Sequence, residues 1–449
     1  MLEQGLQLLR EKTGRKDAAM TRVTVIGAGL AGSEAALTLA AGGADVTLVD
    51  CKPKTLGPAS ANTDFCELVC SNSLKSNDPL TAHGLLKAEL RALGSFVLAE
   101  ADGCAVPAGS ALAVDRAEFA RRVTEKLRES GIKTECCIAG EARDGYTVIA
   151  TGPLTMPPMD AYIAENFGSL HFFDAEAPIV SAESIDRDKS FFAARYGKGN
   201  ADDYLNCPLT KEEYDAFYDA LVTAERANAH EFEKGEIFEG CMPVEVMAAR
   251  GRDALRFGPM RPVGLTDPKT GRRAYAVLQL RKENAAGDMY NLVGFQTNLK
   301  FGEQRRVFGM IPALANAEYL RYGVMHRNAY IDAPRSIDMF FRAKKNGRVF
   351  IAGQLSGVEG YVESIASGKA AAMHLLRLLG GKEPLPLPCE TLIGALSRYV
   401  AAENADFQPM NANYGLLPPF DPQIKDKQKR KEAYMARSLE AIARYTENY

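Results

Sequence analysis

The stretch VTVIGAGLAGSEAALTLAAGGADVTLVD runs from Val23 to Asp50 and contains every part of one strand–helix–strand unit. Its first four residues are β-branched, as expected for a buried parallel strand. Gly27, Gly29 and Gly32 follow as G-x-G-x-x-G, and a helix-favouring segment then leads to a second apolar strand that ends at an acid. This order is the pattern of a dinucleotide-binding unit.

Each glycine of this turn has a separate expected task. The first permits the tight turn, the second lets the backbone approach a pyrophosphate, and the third lets the helix pack closely on the sheet. Unpaired N–H groups at the helix start would face the phosphates, and Asp50 could accept hydrogen bonds from a ribose hydroxyl. The predicted cofactor-binding residues here are Gly27, Ala28, Gly29, Leu30, Ala31, Gly32 and Asp50. The motif does not separate FAD from NAD(P), and an ordinary strand-to-helix turn is the alternative.

Composition narrows the class of protein. A chain of 449 residues with 46% hydrophobic and 25% charged residues predicts two or three globular domains. The net charge of −3 means that any nucleic-acid site would be a local basic patch. No apolar run approaches the ~20 residues of a membrane span. Residues 1–19 have no apolar signal core, so we interpret them as an upstream extension and expect a cytoplasmic protein.

The nine cysteines show no paired metal-type spacing, so we expect free thiols and no metal site. Cys66 and Cys70 have three residues between them, one fewer than the redox pair of a flavin disulfide reductase. Cys70 precedes the turn-prone Ser71–Ser73, which could cap a following helix and lower the pKa of the thiol. Cys241 lies between a glycine and a Met-Pro turn, on an expected loop. The residues alone favour a structural role for all of these cysteines.

From about Ser181 onward Asp, Glu, Tyr and Lys become more frequent, and this change in composition indicates an inserted domain. We predict an amphipathic helix over 209–228 and antiparallel strands over 274–280 and 290–295. His326 and Arg327 are expected in a polar loop. The strand at Val349 leads to Gly353, a further predicted cofactor contact, followed by Gln354 where an acid is usual. Basic residues concentrate in the second half and in a helix from Lys425, and they either form a solvated face or contact a polyanion: Arg272, Arg273, Arg281, Lys282, Lys300, Arg305 and Arg306.

Ten segments together resemble the folate- and FAD-dependent tRNA (uracil-5-)-methyltransferases, the TrmFO or Gid family. They are VIGAGLAGSEAA, ELVCSNSLKS, SALAVDR, ATGPLT, ARYGKGNADDYLNCP, FEGCMPVE, FGPMRPVGL, VGFQTNLK, YGVMHRN and AGQLSGVEGY. The resemblance implies an α/β fold: a glutathione-reductase-like FAD-binding Rossmann domain with an inserted α+β domain. The expected divisions are 1–19 (extension), 20–180 (FAD domain, first part), 181–318 (insertion) and 319–449 (FAD domain, second part).

The resemblance also implies a reaction. A methylene group passes from 5,10-methylenetetrahydrofolate to carbon 5 of a uridine in the tRNA T-loop, reduced FAD supplies electrons, NAD(P)H replenishes them, and the product is ribothymidine. The family's paired cysteines fall on Cys70 and Cys241. We assign Cys241 as the nucleophile at uracil C6 and Cys70 as an acid/base, or a handle for the methylene or flavin adduct, beside the flavin. The other cysteines keep a structural interpretation: Cys51, Cys66, Cys104, Cys136, Cys137, Cys207 and Cys389.

Three other functions stay open at this point. Some relatives of the same chemistry methylate a uridine of large-subunit ribosomal RNA. A plain NAD(P)H–flavin oxidoreductase would need no RNA, and the cysteine spacing and basic insertion count against it. A flavin-bound RNA-binding scaffold would make Cys70 and Cys241 dispensable. The oligomeric state and the choice between NADH and NADPH are also open.

Overall fold

The computed structural model describes residues 22–197, 199–200, 202–227 and 242–449. Cys241 and the extension before Arg22 lie outside these ranges. Within them, no helix combines the length and the apolarity needed to cross a membrane.

The described strands are, in chain order, β1 (Arg22–Ile26), β2 (Asp45–Asp50), β3 (Ser73–Ser76), β4 (Ala105–Val106), β5 (Ala111–Val114), β6 (Lys133–Cys136), β7 (Tyr146–Ile149), β8 (Leu170–Ala175), β9 (Ile179–Ser181), β10 (Phe191–Phe192), β11 (Tyr204–Leu209), β12 (Ala276–Lys282), β13 (Met289–Leu292), β14 (Tyr319–Arg321), β15 (Met325–Tyr330) and β16 (Val349–Ile351). The described α-helices are α1 (Leu30–Ala41), α2 (Ala82–Ala92), α3 (Phe96–Gly103), α4 (Arg116–Glu129), α5 (Met159–Phe167), α6 (Lys211–Val222), α7 (Val244–Ala249), α8 (Ala254–Phe257), α9 (Phe301–Phe308), α10 (Ala333–Ser336), α11 (Tyr361–Leu379), α12 (Leu392–Ala401) and α13 (Lys427–Asn448).

A five-stranded parallel sheet carries the dinucleotide-binding unit, in the order β16-β7-β1-β2-β6. Its central strand β1 pairs in register with β2 and β7, so that Val25 faces Leu48 and Val148. Helix α1 packs closely on α11, since a Cβ on Gly368 would lie 2.2 Å from the backbone oxygen of Ala31. Strand β16 comes from the far end of the chain, so segments before and after the insertion build one sheet. The predicted Rossmann-type α/β fold is confirmed.

The middle of the chain forms a second, antiparallel sheet of six strands, in the order β10-β11-β12-β13-β9-β14. It has its own apolar core, in which Phe295 stacks on Phe217 and meets Phe308 edge-on. The predicted antiparallel strands are confirmed as β12 and β13, with Leu280 opposite Leu292. The predicted helix over 209–228 is shorter, because Thr210 forms a capping box at one end of α6 and Thr223 follows its last residue.

Two local expectations are wrong. His326 and Arg327 lie on strand β15 rather than in a loop, because β15 pairs with β8 and places His326 opposite Asp174. The segment Ser71–Ser73 leads into strand β3 instead of capping a helix. In both places, pairing with a strand distant in sequence overrides the local preference for a turn.

The basic C-terminal helix α13 is an integrated part of the fold. Its Ser438 hydroxyl donates to Glu89 of α2 at 2.6 Å. The same carboxylate accepts the N–H groups of Leu392 and Ile393 at the start of α12. One buried acid therefore joins three helices, and only the outer face of α13 is open to solvent.

His374 on α11 is expected to make the stability of the fold decrease in acid. Its ring is fully buried, lies edge-on to Phe340 at 4.9 Å, and has no hydrogen-bond partner among the described residues. Burial lowers the pKa of His374 to about 3, so below pH 6.5 the unfolded chain binds a proton that the folded chain refuses. Stability from this residue is complete above pH 6.5 and falls as the pH drops, by about 2 kcal/mol at pH 5.

We therefore expect His374→Leu to lose less thermal stability than the unsubstituted protein between pH 7.5 and pH 5. The measurement is the unfolding midpoint of both proteins at the two pH values. Equal decreases in the two proteins would contradict this assignment.

Candidate active site

The glycine turn after β1 is compact on one side and open on the other. Gly27 has a φ of +98°, and a Cβ there would lie 2.4 Å from the Ala150 carbonyl oxygen. A Cβ on Gly32 would lie 1.8 Å from the Gly27 carbonyl oxygen. A Cβ on Gly29, in contrast, would meet no atom within 4 Å. Close contacts with the protein's own backbone therefore exclude any larger residue at Gly27 and Gly32. Gly29 faces free space that a ligand could enter.

Asp50 holds this turn in place. Its Oδ2 accepts the Ala28 N–H at 2.7 Å, and its Oδ1 accepts the Lys52 N–H at 2.9 Å. A carboxylate has about four acceptor positions, so lone pairs remain for a ribose hydroxyl. The acid at the end of β2 thus orders the loop and keeps capacity for a ligand.

A cleft of about 1330 Å³, including its open mouth, begins at this turn. Its walls come from the carboxyl ends of β1, β2, β7 and β16, where ligands bind in open α/β sheets. Of the predicted cofactor residues, the cleft is lined by Gly27, Ala28, Gly29, Leu30, Ala31, Asp50 and Gly353. Gly32 lies behind them, under Gly27. The sequence-predicted residues are thus brought together at one wall.

The chain returns to the cleft at Gly353, directly after β16. This glycine has a φ of +79°, and its N–H donates to the Ser367 hydroxyl at 2.7 Å. Gln354 follows where an acid was expected, and its amide donates to Glu359. Tyr361 then begins α11 and lines the same cleft.

Val69, the residue before Cys70, lines the cleft, and Tyr361 holds Cys70 itself next to that wall. The phenol oxygen of Tyr361 accepts the N–H groups of Cys70 at 2.9 Å and Ser71 at 3.2 Å, and it lies 2.9 Å from Cys70 Sγ. Two accepted bonds occupy both lone pairs of the phenol, so its own proton is directed at the sulfur. The sequence alone does not single out Tyr361, because its contact with Cys70 spans 291 residues.

The environment of Cys70 favours the protonated thiol. Burial is the main cause that raises its pKa to about 12, and the negative charges of Asp174 and Glu176 act in the same direction. The hydrogen bond from Tyr361 and the charge of Arg116 lower the pKa but do not prevail. The expected lowering of this pKa by a helix N-terminus is wrong, because no helix begins there. Without a ligand, Cys70 therefore holds a proton at neutral pH.

Two arginines position the Cys70 loop from opposite sides. Arg116, at the start of α4, donates to the carbonyl oxygens of Leu68 and Val69 and pairs with Glu283 at 2.9 Å. Arg281 of β12 donates to Asn72 Oδ1 at 2.8 Å and to the Ser71 hydroxyl at 2.9 Å. Arg281 was predicted within a basic run on a solvated face or polyanion site. It is buried instead, and it joins the inserted sheet to the loop that follows Cys70.

We expect Arg281→Met to reduce the catalytic rate about tenfold or more and the free energy of unfolding by about 1.5–3 kcal/mol. Met retains the apolar bulk but leaves Asn72 and Ser71 without charged donors, and bonds of this kind contribute that range. Arg272→Met, in the exposed turn before β12, is the matched control. The measurements are kcat and the urea midpoint of each variant. Similar behaviour of the two variants would contradict a positioning role for Arg281.

A group of acids faces the same region from β8 and the segment before α11. Glu176 forms an ion pair with Arg321 at 2.7 Å and lies 3.1 Å from His326 Nε2. Burial and the charge of Asp174 raise the pKa of Glu359. Asp174 thus influences both Cys70 and Glu359. Negative charge near the thiol would favour a ligand that brings N–H groups or positive charge.

Cys241, the other predicted catalytic residue, lies outside the described residues. The described residues on both sides of it are hydrogen-bonded to the same short strip of chain, residues 296–298. Ala227 N–H donates to the Asn298 carbonyl at 2.8 Å, and Val244 N–H donates to the Gln296 carbonyl at 2.7 Å. Of the cysteines assigned structural roles, Cys66, Cys104 and Cys207 are buried. Cys51 and Cys137 line the cleft.

Comparison with known proteins agrees with this arrangement. A family model described as "Glucose inhibited division protein A" (GIDA) matches residues 22–383. The chain is 53% identical over 424 residues to the protein of Bacillus licheniformis named methylenetetrahydrofolate–tRNA-(uracil-5-)-methyltransferase TrmFO, covering 94% of this chain and 98% of that protein. It is 50% identical over 429 residues to the Brevibacillus brevis protein of the same name, covering 95% and 98%.

A solved structure supports the fold independently. The GidA protein of Aquifex aeolicus superposes with a TM-score of 0.67 at 15% identity, covering 95% of this chain and 73% of that one. At this identity the likeness concerns the fold alone. With the family match over most of the chain and relatives about half identical along nearly their whole length, the chain belongs to the TrmFO/Gid family.

Proposed function

We propose that this chain is a tRNA (uracil-5-)-methyltransferase that takes its one-carbon unit from 5,10-methylenetetrahydrofolate and forms ribothymidine in the T-loop. The carrying observation is the hydrogen bond between Cys70 and Tyr361, a residue that lines the dinucleotide cleft, in a chain 53% identical to a relative of that name. A thiol beside a redox-cofactor cleft suits a reaction that combines one-carbon transfer with reduction.

The cleft fits FAD. Gly29 leaves room for a pyrophosphate at the start of α1, and Asp50 retains acceptors for a ribose. The residues that would hold the cofactor are those of the glycine turn together with Asp50 and Gly353. When bound and reduced, FAD would supply the electrons that turn a methylene into a methyl group.

The protein must first activate C5 of the substrate uracil, because this carbon is a poor nucleophile. A thiolate that adds at C6 makes an enolate, and the enolate makes C5 reactive. We assign this step to Cys241. After C5 attacks the one-carbon unit, a base removes the C5 proton as the remaining bond between that carbon and tetrahydrofolate breaks. Addition of two electrons and a proton to the resulting exocyclic methylene then completes the methyl group as the thiolate leaves C6. The target base must leave its stack to reach the cleft, which costs a few kcal/mol.

Cys70 is proposed as the proton-carrying group beside the cofactor. Its raised pKa keeps a proton on Sγ at neutral pH, and its hydrogen bond to Tyr361 fixes the direction of that sulfur. Such a thiol can donate a proton, and once deprotonated it is a strong base. We further propose NAD(P)H as the reductant that replenishes the flavin.

The test is methyl transfer to an unmodified tRNA transcript. The assay contains purified protein, FAD, NAD(P)H and methylenetetrahydrofolate labelled in its methylene carbon. A transcript with cytidine at the target position tests the site, and Cys241→Ser tests the nucleophile. Cys389→Ser, a thiol in the linker before α12, is the matched control.

We expect label in ribothymidine with the unsubstituted protein and with Cys389→Ser, and none with Cys241→Ser. Label with all three proteins would overturn the role of Cys241 but keep the reaction. Label only in ribosomal RNA would move the substrate to that RNA. Oxidation of NAD(P)H without any labelled RNA would leave a flavin oxidoreductase.

A further inference from the structure

Three aromatic rings form a stacked row at the β14 edge of the six-stranded antiparallel sheet. Phe301 stacks on Tyr322 with centroids 4.7 Å apart and planes at 16°. Tyr319 stacks on Tyr322 at 5.1 Å and 2°. Phe301 is the first residue of α9, and the two tyrosines come from β14 and the residue after it. A helix start and a strand end therefore build one layered aromatic surface.

The row ends in an exposed ring. The side chain of Phe301 is 54% exposed, although burial of a large aromatic ring is strongly favourable. Its stacking partner covers one side, so the exposed area belongs to the end of the row. An aromatic face left in water and already aligned with two others is prepared for a further planar group.

A positive charge accompanies the row. Arg305 is four residues after Phe301 and thus on the same face of α9. Its guanidinium lies 6.0 Å from the Tyr322 ring and donates to the Tyr322 hydroxyl at 2.6 Å. The neighbouring cations behave differently, since Arg306 pairs with Glu303 and Lys300 pairs with Glu225. Arg305 is therefore held at the rings rather than at an acid.

Two connections link the row to the candidate active site. Arg321, between the two tyrosines in sequence, pairs with Glu176, whose charge acts on Cys70. The strip that holds both flanks of the Cys241 segment, residues 296–298, ends three residues before Phe301. A nucleotide adjoining the target base would thus pass close to these rings.

We propose that Phe301, Tyr322 and Tyr319, with Arg305, form a stacking platform for an unpaired nucleotide of the RNA substrate. Aromatic faces combined with a cation are how proteins hold unpaired bases, because every base has a π face and is followed by a phosphate. The inference rests on the proposed function, in which a loop nucleotide must leave its stack. The platform would accept a neighbouring base and hold the loop open.

The chain contains no tryptophan, which permits a direct test. Phe301→Trp creates a single fluorescent reporter at the end of the row. We expect the unmodified tRNA transcript to quench this emission, and a single-stranded oligouridine to do so at higher concentration. Phe257→Trp is the matched control. Phe257 is the last residue of α8 and is 83% exposed, and its tryptophan should respond weakly.

Substitution then measures the contribution of the ring. Phe301→Ala should weaken tRNA binding about tenfold, within the range for one stacked base, and raise KM more than it lowers kcat. Phe301→Tyr should restore binding, and the content of FAD should stay unchanged in both. Because fluorescence reports binding without catalysis, quenching in a protein that does not methylate tRNA would support the platform while refuting the proposed function.

Two results would overturn the platform. The first is methylation of tRNA with unaltered KM in Phe301→Ala together with no quenching in Phe301→Trp. The second is a change in oligomeric state on Phe301→Ala, measured by light scattering, with unaltered tRNA binding. That result would make the row a contact between copies of this chain.

Discussion

Replacing Gly32 with alanine is expected to yield a protein that does not retain FAD and that unfolds at a much lower temperature. The added Cβ would lie 1.8 Å from the Gly27 carbonyl oxygen and 2.9 Å from its carbon. These are backbone atoms, so α1 and the turn must separate. Destabilisation of about 1–3 kcal/mol or more is expected for forced displacement in a packed core. FAD affinity should fall about hundredfold or more, since the turn that faces the phosphates is distorted.

Gly29→Ala is the matched control for this prediction. Gly29 has a φ of −74°, which alanine adopts without strain, and its Cβ would meet nothing within 4 Å. We therefore expect an unchanged unfolding midpoint for the apoprotein and a weaker affinity for FAD, because the methyl group occupies the space for the pyrophosphate. The measurements are flavin absorbance per protein and calorimetry of the apoproteins. Tight FAD binding by both variants would contradict the proposed cofactor site.

Replacing Tyr361 with phenylalanine is expected to lower kcat about hundredfold while FAD remains bound. The phenol oxygen accepts two backbone N–H groups and is hydrogen-bonded to Cys70 Sγ. Its removal leaves the N–H groups of Cys70 and Ser71 unpaired, and each unpaired buried group costs about 1–3 kcal/mol. The Cys70 loop should therefore lose its single orientation. Tyr399→Phe, which removes a phenol that donates to the distant Gln408 carbonyl, is the control.

A readout other than activity separates positioning from general damage. The hydrogen bond from Tyr361 lowers the pKa of Cys70 against the larger effect of burial. Its loss should raise that pKa further, so the rate of Cys70 alkylation by iodoacetamide at each mildly alkaline pH should be lower in Tyr361→Phe than in Tyr399→Phe. Mass spectrometry of the Cys70 peptide across a pH series measures this. Superimposable alkylation profiles would argue that Tyr361 does not act on the thiol.

The two arginines and Tyr361 give the Cys70 loop an unusual number of long-range restraints. Arg116 binds its preceding carbonyls, Arg281 binds the residues after it, and Tyr361 binds its backbone and sulfur. Arg281 belongs to the antiparallel sheet, so the insertion directly supports the loop that carries Cys70. This dependence explains how a domain added to a dinucleotide-binding fold can take part in its chemistry.

The sequence by itself determined the dinucleotide unit, the family and the two candidate cysteines. The glycine turn could be predicted from the sequence because its requirements are local. The positive φ at Gly27 and the close packing at Gly32 depend on neighbours within a few residues or on one adjacent strand. The antiparallel strands of the insertion could also be predicted, since alternation of apolar and polar residues with a period of two is typical of a strand.

Only the tertiary structure decided which side chains meet at the site. Tyr361 and Cys70 are 291 residues apart, and Arg281 and Asn72 are 209 apart, so no spacing or periodicity encodes their contact. The charge of Arg281 predicts either a solvated face or a polyanion contact, whereas its buried position depends on hydrogen-bond acceptors in the loop that follows Cys70. His326 was placed in a loop because its strand exists only by pairing with β8. Local patterns therefore specified the elements, and long-range hydrogen bonding and burial specified the chemistry of the thiol.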